Sequence, residues 1–306
     1  MPVQFDHVGK SYDAFRAVDD VSFEVREGEI FGLIGPNGAG KTTTMECIEG
    51  LRRPDSGTMT VLGLDPHRDA TALRYRIGVQ HQEAQLQKRI KVWEAVDLWA
   101  SLYDKARVAD VDMLLERLGL TPRRNARFMT LSGGQKQRLF IALALIHQPE
   151  LVFLDELTTG LDPQARRAIW ELVRDIRSRG TTVLLTTHLM EEAERLCDRV
   201  AIIDQGQIIA LGTPREIQQK AGGESKIEIR TAQPMPVDVP VFEASEKSTR
   251  SEDGLTLTVY SSRPARTLPD LVKWIDQRGL DLEDIHLKRP TLEDVFIEIT
   301  GKRLRD

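Results

Sequence analysis

Ile30-Phe31-Gly32-Leu33-Ile34 is followed at once by Gly35-Pro36-Asn37-Gly38-Ala39-Gly40-Lys41-Thr42, and then by Thr43-Thr44-Met45-Glu46-Cys47-Ile48. The first run is continuously apolar and reads as a buried strand. The last reads as a helix. The eight residues between them fit G-x-x-x-x-G-K-[ST] in the strand-to-helix setting the motif requires. Glycines let backbone amides converge on phosphate oxygens, and the positive end of the following helix adds to them. Lys41 would reach β- and γ-phosphates, and the Thr42 hydroxyl would ligate Mg²⁺. Gly35, Pro36, Asn37, Gly38, Ala39, Gly40, Lys41, Thr42 and Thr43 are the candidate phosphate-binding set. A plain glycine turn would need neither the lysine nor the threonine.

Outward from this loop the pattern is α/β. Val3 and Phe5, then Val21, Phe23 and Val25, alternate with period two and read as antiparallel strands with one buried face. Leu151–Leu154, Thr182–Thr186 and Val200–Ile203 are short apolar strands separated by helix-like stretches, which argues for a mostly parallel sheet. Residues 88–128 carry a helical spacing (Val92, Val96, Trp99, Leu102; Val111, Leu114, Leu115, Leu118) and read as a helical insertion at about 84–130. A boundary falls near Ala221-Gly222-Gly223-Glu224. Beyond it come a strand (Lys226–Arg230), a loop (Gln233–Asp253), a strand (Leu255–Tyr260), a helix (Leu268–Gln277), a strand (Ile285–Leu287) and a helix (Leu292–Ile299). The expected organisation is one large domain over 2–221 and a small α+β domain over 224–306.

Leu151-Val152-Phe153-Leu154-Asp155-Glu156 is an apolar strand ending in two acids. With a phosphate loop in the same chain, an aspartate at such a strand end holds Mg²⁺, and the adjacent glutamate can polarise an attacking water. Shortly before it stands Leu131-Ser132-Gly133-Gly134-Gln135-Lys136-Gln137-Arg138. Ser132 and Gln135 form a helix-starting capping box. Capping does not need two glycines, which allow close approach of a backbone or a phosphate.

This octapeptide resembles the signature of ABC ATPases. Together with the phosphate loop and the acidic strand end, it makes the resemblance specific over about residues 2–220. The resemblance implies a P-loop NTPase cassette: a mixed sheet core with an antiparallel β subdomain and an inserted helical subdomain. It implies a homodimer with two shared ATP sites, in which Ser132, Gly133, Gly134 and Gln135 of one copy close on ATP held by the other. It assigns catalysis to Glu156, His188 and Lys41, and Mg²⁺ to Thr42, Gln82 and Asp155. Tyr12 is matched to the adenine-stacking aromatic, and packing in a hairpin also explains it. Gln82 is matched to the glutamine that senses Mg²⁺ and couples to the permease, with Gln80 as a rival. Asp162, in Leu161-Asp162-Pro163, is matched to the D-loop and is also explained as a helix cap followed by a first-turn proline. Two departures are visible: Leu157 stands where proline is usual after the catalytic glutamate, and Gln80-His81-Gln82 stands where Leu-Pro-Gln is frequent. Neither removes a chemical group, so ATP hydrolysis is expected. The tail Arg289-Pro290-Thr291-Leu292-Glu293-Asp294-Val295-Phe296 resembles that of bacterial drug- and antibiotic-export ATPases of the daunorubicin-resistance type. That implies an exporter with a separately encoded membrane permease.

Composition agrees with a soluble motor subunit. The 306 residues are 41 % hydrophobic and 29 % charged, with a formal net charge of −5. A nucleic-acid binder collects positive charge, so no nucleic-acid partner is expected. The rival reading is a soluble ABC ATPase acting on nucleic acid or ribosomes. The longest clean apolar run, Phe140–Ile146, falls far short of the roughly 20 residues a membrane span needs. The N-terminus has no export signal, so a cytoplasmic protein peripheral to the membrane is expected. Cys47 and Cys197 lack metal-type spacing and read as reduced thiols.

Overall fold

The structure is a computed structural model describing residues 1–81, 85–220 and 225–301. In chain order the elements are β1 (Val3–Tyr12), β2 (Phe15–Val25), β3 (Ile30–Ile34), α1 (Lys41–Ile48), β4 (Ser56–Val61), α2 (Ala70–Arg74), β5 (Ile77–Gln80), α3 (Val92–Ala100), α4 (Val111–Arg117), α5 (Gly133–Leu145), β6 (Leu151–Asp155), α6 (Pro163–Ser178), β7 (Thr182–Thr187), α7 (Met190–Leu196), β8 (Arg199–Asp204), β9 (Gln207–Gly212), α8 (Pro214–Lys220), β10 (Ser225–Thr231), β11 (Ser245–Arg250), β12 (Thr256–Ser261), α9 (Pro264–Gln277), β13 (Leu282–Lys288) and α10 (Leu292–Thr300). Two compact units result, one over Met1–Pro214 and one from Arg215 onward. Residues 221–224, where the sequence suggests a boundary, lie outside the described residues.

The first unit holds a three-stranded antiparallel sheet, β2-β1-β4, and a six-stranded sheet, β5-β6-β7-β3-β8-β9. The larger sheet is parallel except for the β8–β9 pair. Its central strands β3, β6 and β7 are buried at every position. Unbroken apolar runs are what a parallel sheet covered on both faces demands. Helix α6 buries Ile169, Trp170, Val173 and Ile176, one stripe at helical spacing. Because β6, β7 and β3 are parallel neighbours, the loops leaving their C-terminal ends open on the same sheet edge. That is where ligands of open α/β sheets sit.

Three helices, α3, α4 and α5, lie between β5 and β6. Their buried residues include Val92, Ala95, Val96, Leu114 and Leu115, and Leu118 is buried just after α4. The expected pattern runs one turn too far: α3 ends at Ala100, and Leu102 is 63 % exposed. No helix among the described residues is long and apolar enough to cross a membrane.

The second unit is a four-stranded antiparallel sheet, β11-β12-β10-β13, covered by α9. β10 alternates strictly, with Ser225, Ile227, Ile229 and Thr231 inward. These meet Leu257, Val259, Leu271, Trp274 and Ile275, and Phe242 closes edge-on against Trp274 at 5.8 Å. The structure corrects two expectations. The stretch read as a loop over Gln233–Asp253 contains strand β11. Its inner residues Glu246–Thr249 are all exposed on a sheet edge, so it carries no period-two apolar signal. Helix α9 begins at Pro264, a turn before Leu268, and carries Pro269 inside its first two turns. Proline favours the first helical turn, and the expected start at Leu268 falls beside Pro269 where the helix is already under way. Thr291 and Asp294 cap α10 reciprocally, and Gly301 ends it in the left-handed conformation.

Candidate active site

The loop between β3 and α1 is shaped by close backbone contacts. Gly40 has φ +103°, and a Cβ there would stand 2.2 Å from the carbonyl oxygen of Ala17. A Cβ on Gly35 would stand 2.1 Å from that of Ile203. Only glycine fits either position. Gly40 is also the N-cap of α1, and no side chain caps that end. The first amides of α1 are thus open to an anion. Lys41 is buried, and its Nζ donates to the carbonyls of Gly35 (2.8 Å) and Pro36 (2.9 Å). Burial lowers its pKa, while the charges of Glu156 and Asp155 pull it back up. Thr42 is exposed on the first turn of α1.

The two acids leave β6 beside it. Glu156 Oε1 lies 3.9 Å from Lys41 Nζ and 3.4 Å from His188 Nδ1. Lysine, glutamate and histidine, distant in sequence, therefore meet around one carboxylate. Glu156 sits at φ +46°, a left-handed backbone unusual for glutamate. Thr186 of β7 holds it there: the Glu156 amide donates to the Thr186 hydroxyl at 3.1 Å. That hydroxyl in turn donates to Asp155 Oδ1. Burial raises the Asp155 pKa, the Thr186 hydrogen bond opposes this, Glu156 adds to it and Lys41 offsets part of it. Leu157 is 2 % exposed, so the residue in proline's usual place anchors the loop through the core instead.

The signature is built as its capping box requires. Ser132 Oγ accepts from the Gln135 amide, and Gln135 Oε1 accepts from the Ser132 amide. Cβ atoms on Gly133 and Gly134 would touch Leu161 Cδ2 at 3.4 Å and Ala165 Cβ at 3.3 Å. The start of α5 thus leans on the start of α6, where Asp162 caps by accepting from the Gln164 and Ala165 amides. A cleft of about 420 Å³ beside the phosphate loop is lined by Phe15, Arg16, Pro36–Ala39, Asp204 and Gln205. Its lining includes none of Tyr12, Lys41, Glu156, His188 or the signature residues. Tyr12 packs instead with Arg52 and Lys10, whose charged groups stand 5.4 and 5.8 Å from its ring centre. Gln82 lies outside the described residues. Gln80 ends β5 with its side chain buried, its Nε2 donating to the His81 carbonyl at 2.7 Å.

Sequence reasoning missed three contributors. Thr186 carries a faint signal, a hydroxyl in a wholly buried strand. Phe15, 59 % exposed at the mouth of the cleft, carries only its exposed position at a strand start. Glu49 caps the C-terminus of α1 and is 7 % exposed, and burial, followed by the charges of Asp155 and Glu46, pushes its pKa up to about 8. A raised folded-state pKa gives stability that is complete below the unfolded value and is lost as pH rises through the folded one. Ionising a carboxyl held so far above its ordinary range costs the fold several kcal/mol. Glu49→Gln is therefore expected to melt higher than wild type at pH 8.5, with the gap closing toward pH 5. A pH-independent gap in thermal melts contradicts this.

Comparison with known proteins bears on the whole chain. Residues 18–159 match the ABC transporter family model. The chain is 40 % identical over 308 residues to Nod factor export ATP-binding protein I of Paraburkholderia xenovorans (strain LB400), covering 99 % of this chain and 98 % of that protein. It is 37 % identical over 304 residues to daunorubicin resistance ATP-binding protein DrrA3 of Streptomyces coeruleorubidus, covering 98 % and 96 %. These alignments run through the C-terminal unit, so the tail resemblance holds along with the cassette. An ATP-binding cassette solved as a dimer, in a post-hydrolysis state with ADP and phosphate bound, superposes with a TM-score of 0.62 at 25 % identity, covering 69 % of this chain and 98 % of that one. With the phosphate loop, the Asp155-Glu156 strand end and the signature all in place, the chain belongs to the ABC transporter family, as an ATP-binding, ATP-hydrolysing member.

Proposed function

We propose that two copies of this chain bind two MgATP between them and drive a separate membrane permease that exports drug-like or natural-product compounds. One observation carries the reading. Lys41, Glu156 and His188 converge on one edge of the sheet beside the phosphate loop, a set of groups fitted to hold and hydrolyse a polyphosphate. By family match, a second copy supplies Ser132, Gly133, Gly134 and Gln135. The dimeric cassette noted above assembles in pairs, which supports this arrangement.

The geometry around Lys41, Glu156 and His188 and the family match together support the following roles. The amides of Gly38–Thr43 and the Lys41 ammonium receive the β- and γ-phosphates, with Lys41 exchanging its two carbonyl partners for phosphate oxygens. Electrostatic stabilisation of this kind is the main lever in phosphoryl transfer. Asp155 and Thr42 are oxygen donors suited to a hard cation. Burial disfavours the charged form of Asp155, so the residue fits a cation partner. Asp155 and Thr42, with Gln82 added by family match, would hold Mg²⁺, which supplies charge neutralisation when bound. Glu156 takes a proton from the attacking water as the water oxygen bonds to the γ-phosphorus and the bond from that phosphorus to the β–γ bridging oxygen breaks, leaving ADP and phosphate. His188 contacts the γ-phosphate and fixes the Glu156 carboxylate. An aromatic from the hairpin, Tyr12 by family match, stacks on adenine. Asp162 faces the partner across the dimer.

Both relatives are named as ATP-binding proteins, one of Nod factor export and one of daunorubicin resistance. Those names support outward transport and a natural-product cargo. The permease supplies the membrane path, and places this chain on the cytoplasmic face. The test is reconstitution with a membrane permease encoded beside this gene, with daunorubicin as the trial cargo. ATP hydrolysis is expected to rise when the permease is present and to rise again with a cargo it accepts. A rate indifferent to the membrane protein contradicts the transport reading.

A further inference from the structure

Glu192, in the first turn of α7, is 1 % exposed. No lysine, arginine or histidine pairs with it among the described residues. Burying a carboxylate without a cation is costly, and an apolar side chain of similar volume would avoid that cost. Two neutral donors meet it instead. Its Oε1 accepts from the Thr158 hydroxyl at 2.9 Å and from Trp170 Nε1 at 3.0 Å. Both donors are themselves buried. The guanidinium of Arg195 lies 5.6 Å from the Trp170 ring centre.

The three partners come from three places that matter. Thr158 is two residues after Glu156, Glu192 is four after His188, and Trp170 lies on α6, whose cap is Asp162. One oxygen atom therefore ties the loop bearing the water-activating carboxylate, the helix behind the histidine and the helix opened by Asp162. Upstream, the Thr186 hydroxyl and carbonyl hold the Glu156 amide. Downstream, the Thr158 hydroxyl is the loop's buried tether. Between the two clamps, Glu156 keeps its left-handed backbone and its 3.4 Å approach to His188.

We infer that Glu192 is a positioning residue for hydrolysis, locking the Glu156–Asp162 loop to the helix that follows His188 through its paired acceptor bonds. The inference rests on the reading of Glu156 and His188 given above. Releasing the clamp leaves the phosphate loop untouched but lets the carboxylate drift relative to the γ-phosphate. Misplacement of a reacting group by about 1 Å costs on the order of 100-fold in rate.

The experiment measures kcat and KM for ATP, with thermal melting, for Glu192→Ala, Glu192→Gln, Thr158→Val and Glu156→Gln. Thr158→Val is nearly isosteric and removes only the hydroxyl, so it reports even if Glu192→Ala fails to fold. The expected result is a kcat loss of about 10- to 100-fold in Thr158→Val and in folded Glu192→Ala, with KM within about threefold of wild type. Glu192→Gln retains an acceptor oxygen and is expected to recover most of the rate. Wild-type kcat in Thr158→Val, or no recovery in Glu192→Gln, overturns the inference. A wild-type rate in Glu156→Gln instead overturns the underlying assignment of the base, so the two failures are separable.

Discussion

Glu156→Gln is expected to lower steady-state ATP hydrolysis by about 10²- to 10⁴-fold while ATP still binds. Glutamine preserves the shape of the side chain beside Lys41 and His188 but cannot take a proton from water. The carboxylate stands 3.9 Å from Lys41 Nζ and 3.4 Å from His188 Nδ1, so the substitution also removes a negative charge from a site that must accept a polyphosphate. ATP should therefore bind at least as well and stay bound. Size-exclusion chromatography in MgATP is expected to show a persistent dimer for the variant and a transient one for wild type. Hydrolysis by the variant at the wild-type rate rules out Glu156 as the base.

Lys41→Ala is expected to weaken ATP binding by about 10- to 100-fold, the loss of a charge-assisted contact worth about 1.5–3 kcal/mol. The ammonium stands within ion-pair distance of Glu156, as does the His188 ring. The side chain is already held over the loop by the Gly35 and Pro36 carbonyls, so little ordering is left to be done when phosphate arrives. Calorimetric titration with ATP checks this, with a thermal melt to show that the variant is folded. Unchanged affinity overturns the reading of the phosphate loop.

How much of the site is legible in the sequence differs by residue. The strand-loop-helix from Ile30 to Ile48 announces itself, because an apolar run, glycines and Gly-Lys-Thr obey local rules that tertiary structure does not override. Asp155 and Glu156 are equally plain at the end of β6. What no local rule contains is the strand order β6-β7-β3, which brings Glu156 and His188 to Lys41. Family resemblance supplies that grouping. Thr186 is inconspicuous because a threonine in a buried strand looks like β-propensity until its hydroxyl is seen bridging Asp155 and the Glu156 amide. Glu49 and Glu192 are inconspicuous because a glutamate on a helix is ordinarily solvated, and burial is a property of the packed molecule. In the hairpin, the family match singles out Tyr12, yet the structure sets it with Arg52 and Lys10 and turns Phe15 toward the phosphate loop. Edge strand β11 is invisible for a physical reason: a strand with no buried inner positions carries no periodicity.

The central claim is that each ATP site is shared, with Lys41 from one copy and the signature from the other. The most direct test mixes two inactive variants, Lys41→Ala and Ser132→Arg, in equal amounts and measures ATP hydrolysis. A mixed pair contains one site with both defects and one with neither. Activity is therefore expected to return to about a quarter of the wild-type rate on random pairing. If the mixture remains as inactive as its components, the sites are not shared and the account is wrong.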